Sequence, residues 1–141
     1  MEKQKTPRGI RNNNPLNIRK GNDWQGERHP QTDPTFEEFE SMEMGLRAGF
    51  KVLQSYVKKR IDTPSAIIAR WAPSNENNTK AYLDYVCKRA RLTPHEKLKF
   101  TPSGVDKNKL CCMVWAMVEM ETGVTLSFGQ IENAYAMAMR K

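Results

Sequence analysis

Cysteine is scarce in this chain of 141 residues, and the three present exclude more than they offer. Cys111 and Cys112 are neighbours on one predicted helix and Cys87 stands apart. There is therefore neither a disulfide framework nor the paired C-x-x-C spacing of a zinc site. They read as reduced packing residues, and neither a metal nor a cofactor is expected. Long apolar runs are also missing. The longest lies within 110–118, far short of the roughly 20 residues that a bilayer-spanning helix needs, so no membrane insertion is expected. Basic residues near the N-terminus are not followed by an apolar stretch, which leaves no secretory signal and predicts a protein made in the cytoplasm. Dinucleotide and phosphate-binding glycine loops, the nucleophile elbow G-x-S-x-G, the zinc motif H-E-x-x-H and internal repeats are all absent.

What is present suffices for one globular domain, expected to span residues 1–141. Apolar residues make up 38% and charged residues 28%, spread along the chain, a balance that supports a core and argues against disorder. Acidic residues are outnumbered, 16 against 23 Lys and Arg, for a net charge of +7. Such a charge attracts polyanions. The two basic clusters, Lys58-Lys59-Arg60 and Lys88-Arg89-Ala90-Arg91, fall in the last turns of predicted helices, where they complement the helix dipole. No helix shows a basic face with aromatic or amide readers, so no specific nucleic-acid partner is expected.

Helical periodicity dominates from residue 41 onward. Ser41 caps a predicted helix from Met42 to about Arg60, with Leu46, Phe50, Leu53 and Tyr56/Val57 inward, and Gly45 and Gly49 suggest a close crossing. Thr63-Pro64 opens a short helix carrying Ile67, Ile68 and Trp71. A loop at 74–78 precedes a helix that Thr79 should cap and that carries Tyr82, Val86 and Ala90. Thr93-Pro94-His95-Glu96 has the form of a capping box and predicts another short helix, and Ser127 with Gln130 opens the last one. Residues 6–40 are irregular by contrast. Gly21-Asn22 could turn a small β-hairpin between 17–20 and 23–25, with 35–40 as a third short strand. The fold class that follows is mainly α, of α+β type: about six helices with a small β-hairpin region near the N-terminus.

The stretch around which the rest is organised is 106–123. Leu110, Met113/Val114, Met117 and Val118/Met120 form a stripe wide enough to be covered on more than one side, with Asp106 as N-cap and Gly123 as the left-handed residue that ends the helix. That ending places Glu121 in the last turn, where the dipole opposes a negative charge. Such an acid either reaches solvent and pairs with a Lys or Arg, or holds a proton for donation to a leaving oxygen.

The other polar concentration is Asn12-Asn13-Asn14-Pro15-Leu16-Asn17, a poor sequence for regular structure and rich in amide donors and acceptors. It serves either as a cleft wall that reads hydroxyl and acetamido groups or as an ordinary loop whose Asn side chains cap turns. Trp24, set among polar residues, is either a sugar-stacking platform or a cap over the β-region, and Trp71 is divided between core and cleft.

Two stretches resemble the lysozyme-like superfamily of peptidoglycan-cleaving enzymes. Trp71-Ala72-Pro73-Ser74-Asn75-Glu76-Asn77-Asn78-Thr79-Lys80-Ala81-Tyr82-Leu83-Asp84-Tyr85-Val86 is similar to the lytic transglycosylase segment in which a polar loop precedes a Thr-x-x-Tyr helix, and Asn13-Asn14-Pro15-Leu16-Asn17-Ile18 to the Asn-rich cleft loop of related glucosaminidases. Val118-Glu119-Met120-Glu121-Thr122-Gly123 resembles the helix end that carries the catalytic glutamate, but it comes last where the family has it first, an order that looks circularly permuted. The chain over 8–59 and 93–141 also resembles small phage and prophage virion proteins that open with Arg-Gly-Ile-Arg-Asn-Asn-Asn-Pro.

The resemblance implies a lysozyme-like domain with Glu121 as catalytic acid supported by Tyr82, and Asn13, Asn14, Asn17, Trp24, Trp71 and Asn77 on the substrate side. It also implies peptidoglycan glycan strands as partner, together with other virion proteins, and action at the cell wall or in the virion. Asp33, Glu37, Glu38 and Glu40 are the available second carboxylates, since glycosidases commonly set two about 5–5.5 Å or about 6.5–9.5 Å apart; an assisting substrate acetamido group is the other route. Three function classes stand at this point: a glycan-strand hydrolase or lytic transglycosylase, a non-catalytic virion protein of the same shape, and a nucleic-acid-binding helical domain.

Overall fold

The computed structural model describes residues 6–72 and 76–140. Six helices lie within them: α1 (Arg8–Arg11), α2 (Met42–Lys58), α3 (Pro64–Trp71), α4 (Glu76–Ala90), α5 (Lys107–Thr122) and α6 (Phe128–Met139). Three begin at the expected caps, with Ser41 Oγ accepting from Met44 N–H, Thr63 Oγ1 from Ala66 N–H and Ser127 Oγ from Gln130 N–H.

α5 lies against α1, α4 and α6, and α2 packs on α6. The burial of α5 follows its sequence: Leu110, Cys111, Met113, Val114, Ala116, Met117 and Val118 are all inaccessible. Tyr135 of α6 ties this layer together, edge-on to Phe50 of α2 at 5.4 Å and stacked on Phe100 at 6.1 Å.

Several local expectations give way. The sequence predicts a loop over 8–11 and a helix after Pro94; α1 forms at the first, and the second is a turn in which the Thr93 N–H and hydroxyl both donate to Glu96 Oε2. Asp106 does not cap α5 with its side chain, because its carboxylate accepts from Lys99 N–H instead. α4 starts before Thr79, whose hydroxyl reaches back to the Ala72 carbonyl.

No β-hairpin forms across Gly21-Asn22. Among the described residues, pairing is limited to two isolated antiparallel bridges, Arg19 with Phe36 and Glu27 with Phe39. The stretch 35–40 thus serves as the common partner of 18–20 and 26–28, through Lys20 N–H to Thr35 O at 3.0 Å and Arg28 N–H to Glu38 O at 2.8 Å. The segment with Phe36 and Phe39 has side chains to pack and takes the middle position.

Candidate functional site

The end of α5 fixes the site. Gly123, at φ 73°, terminates the helix with its N–H on the Glu119 carbonyl. Thr122 Oγ1 then donates to Val118 O and accepts from Val124 N–H, so the turn around Glu121 is held from both sides. The Glu121 side chain projects between two elements remote in sequence. Tyr82 of α4 donates its hydroxyl proton to Oε2 at 2.9 Å, and Asn17 Nδ2 donates to Oε1 at 3.0 Å. Both donors are neutral. Burial, and next the Glu121 carboxylate, push the Tyr82 hydroxyl far above its ordinary range, so it stays a donor.

Two residues earlier, Glu119 takes the ordinary part of a helix-end acid. Arg89 donates to it at 2.9 Å and Tyr85 at 2.9 Å, while Thr125 donates at 2.6 Å. Its carboxyl lies below the usual range, chiefly through Arg89. The Lys or Arg partner that Glu121 could have had is thus found on Glu119.

Asn17 reaches Glu121 because the loop before it is tightly built. It sits at φ 52°, a left-handed conformation that Asn tolerates better than most residues. Upstream, buried Asn14 donates through Nδ2 to Ile18 O and Glu37 O and accepts from Ile18 N–H, Asn13 donates to Phe39 O, and Asn12 donates to Asp33. Asp33 also forms a two-pronged pair with Arg8 at 2.6 Å and caps Thr35 and Phe36 N–H, so its carboxyl lies well below the usual range, foremost because of Arg8. The loop lies directly on α2: a Cβ at Gly45 would collide with the Asn13 carbonyl, and one at Gly49 with Leu16.

A cavity of about 620 Å³ opens beside this cluster, lined by Asn17, Arg19, Phe36, Tyr56, Trp71 and Glu121 together with aliphatic neighbours. Trp71 stands edge-on to Tyr56 at 6.4 Å. Of the residues singled out from sequence, Glu121, Tyr82, Asn17 and Trp71 therefore meet at one place. Asn13 and Asn14 do not line the cavity and spend their amides on backbone groups. Trp24 packs against the core away from the cavity, its indole N–H buried without a partner among the described residues. Asn77 lies in the first turn of α4, and its side chain is outside the described part.

Neither Asp33, Glu37, Glu38 nor Glu40 lines the cavity. Glu38 accepts from Thr32 N–H and hydroxyl, while Glu37 is buried near Glu27. Among the described residues no group of three or more His, Cys, Asp or Glu is placed to hold a metal ion, and no helix is long and apolar enough to cross a membrane. Sequence reading missed Arg19, Phe36 and Tyr56 as cavity residues. For Tyr56 a signal existed, since the periodicity of α2 already turned it inward; for Arg19 and Phe36 there was none short of knowing which segments pair.

No family model matches the chain. A relative does: the chain is 40% identical over 121 residues to protein P5 of Pseudoalteromonas phage PM2, a match that covers 82% of this chain and 71% of the relative. The chain belongs to the family of phage protein P5. The likeness to phage proteins read from separate stretches of the sequence thus has a counterpart that spans most of the chain.

Proposed function

We propose that this P5-family protein cleaves the glycan strand of peptidoglycan, with Glu121 transferring the proton. The observation that carries this reading is the hold on Glu121: a carboxyl in a cavity wall, each oxygen bound by a neutral donor and neither by a cation. A protonated Glu121 would give its proton to the glycosidic oxygen. The carboxylate left behind would be met at once by Tyr82 O–H and Asn17 N–H, preorganised donors where charge develops. It would then take a proton from water or from a hydroxyl of the sugar itself. Since none of the four expected second carboxylates lines the cavity, the reading favours a single-glutamate route, either lytic transglycosylation or hydrolysis assisted by the acetamido group. Its place of action would be the wall, reached from the virion.

The test is cleavage of purified peptidoglycan by the protein and by Glu121→Gln. The native chain should solubilise wall, and the variant, folded by circular dichroism, should fall by at least about a thousandfold because an amide cannot cycle a proton. Anhydro-sugar or reducing ends in the products separate the two routes.

A second reading rests on the same contacts. Tyr82 and Asn17 also dock α4 and the N-terminal loop onto α5, as a non-catalytic virion protein would need. Wall left intact by the native chain, with Glu121→Gln clearly less stable, would decide for that one.

A further inference from the structure

Among the described residues the cavity is lined by one acid, Glu121, and one cation, Arg19. The two arginines around Phe36 are used differently. Arg8 lies 4.7 Å from the ring centroid and is neutralised by Asp33, whereas Arg19 lies 5.2 Å from it and has no acidic partner among the described residues. Backbone bonds on either side of Arg19, from Glu37 N–H to Ile18 O and from Lys20 N–H to Thr35 O, both 3.0 Å, hold its main chain in register. Arg19 is exposed, and a guanidinium that rests on an aromatic face still offers a planar N–H fork that matches a carboxylate in a bidentate manner.

We infer that Arg19 is a specificity residue that binds a carboxylate of the substrate, so that the cavity selects glycan strands bearing acidic peptide stems over neutral glycans. This deepens the proposed cleavage at Glu121 and rests on it for the identity of the glycan. A stem carboxylate projecting from the strand would lie against Arg19 while the sugar chain occupies the aromatic side formed by Tyr56 and Trp71. Phe36 sets the distance at which the charge is met.

The test uses short soluble glycan strands carrying peptide stems, the same strands with stem carboxylates amidated, and a neutral chito-oligosaccharide. Dissociation constants are measured by tryptophan fluorescence in a Glu121→Gln background, and kcat/KM in the native chain. The acidic strands should bind about tenfold more tightly than the amidated ones, the gain of a charge-assisted bidentate pair at an exposed site. Arg19→Gln should abolish that preference, so that acidic and amidated strands bind alike, and Arg19→Lys should keep part of it. Raising the salt should narrow the preference in the Arg19 chain alone. Equal binding of acidic and amidated strands, a preference that survives Arg19→Gln, or no binding of either strand would overturn the inference. Acidic-strand preference without cleavage would leave Arg19 in its role and remove the catalytic reading of Glu121.

Discussion

Tyr82 and Glu37 show how much a single polar atom can decide. Tyr82→Phe removes one hydroxyl that donates to Glu121 and leaves the ring packing in place, so the fold should lose about 1 kcal/mol in urea denaturation. If Glu121 is the proton donor, wall cleavage should fall much further than that loss explains. Equal rates for the two proteins would end the supporting role of the hydroxyl. Glu37 is a different case, buried with Oε2 unpartnered among the described residues. Burial first, then the neighbouring carboxylates of Glu27 and Asp23 against the partial offset of Lys20, raise its pKa from 4.5 to about 7. Between those values the native chain holds a proton that the unfolded chain has released. Stability therefore falls as pH rises through that window, by up to about 3 kcal/mol, and is fully present below it. Denaturation followed from pH 4.5 to 8 should show this decline in the native protein and a flat profile for Glu37→Gln; the same slope in both would mean that Glu37 titrates normally.

At the scale of elements, the contact that matters most is the one between the Asn-rich loop and α2. Gly45 and Gly49 let Asn13 and Leu16 approach the helix backbone. Gly45→Ala should push that loop away and cost about 2 kcal/mol, the range of overpacking in a rigid interior. Gly129, in the first turn of α6, has nothing within 4 Å of the added carbon, and Gly129→Ala should be neutral or stabilise by about 0.5 kcal/mol. Thermal melts of the two variants measure the contrast, and a matching gain in both would show that helix propensity, not the loop crossing, decides the outcome. Because the same loop delivers Asn17 to Glu121, Gly45→Ala should also weaken whatever Glu121 does.

At the scale of the whole molecule, α5 lies at the centre of the core and carries Cys111 in its fully buried stretch. Burial pushes that thiol up to about 12, and none of the three cysteines is in a disulfide. A thiol reagent should thus reach Cys111 only when the helix layer opens, and its labelling rate across a urea series should track the global transition seen by circular dichroism. Modification of Cys111 well before that transition would show that the layer around α5 opens by itself. Partly exposed Cys87 and Cys112 give the internal comparison within the same chain.

Local chemistry was legible without a structure. Ser41, Thr63 and Ser127 start helices and Gly123 ends one, since a cap is made by residues within about four positions of each other. The placing of Glu121 in a last helical turn followed from Gly123 alone. What the tertiary structure decided is everything joined across distant sequence. Asn17 and Glu121 are 104 residues apart, and nothing local tells which Asn of the loop will face the acid and which will be spent on backbone carbonyls. The pairing of 35–40 with two segments, in place of a hairpin at Gly21-Asn22, was likewise a competition for burial that short-range turn signals could not report. Propensities and caps are properties of neighbours along the chain, whereas a cleft is a property of surfaces that meet only when the core closes.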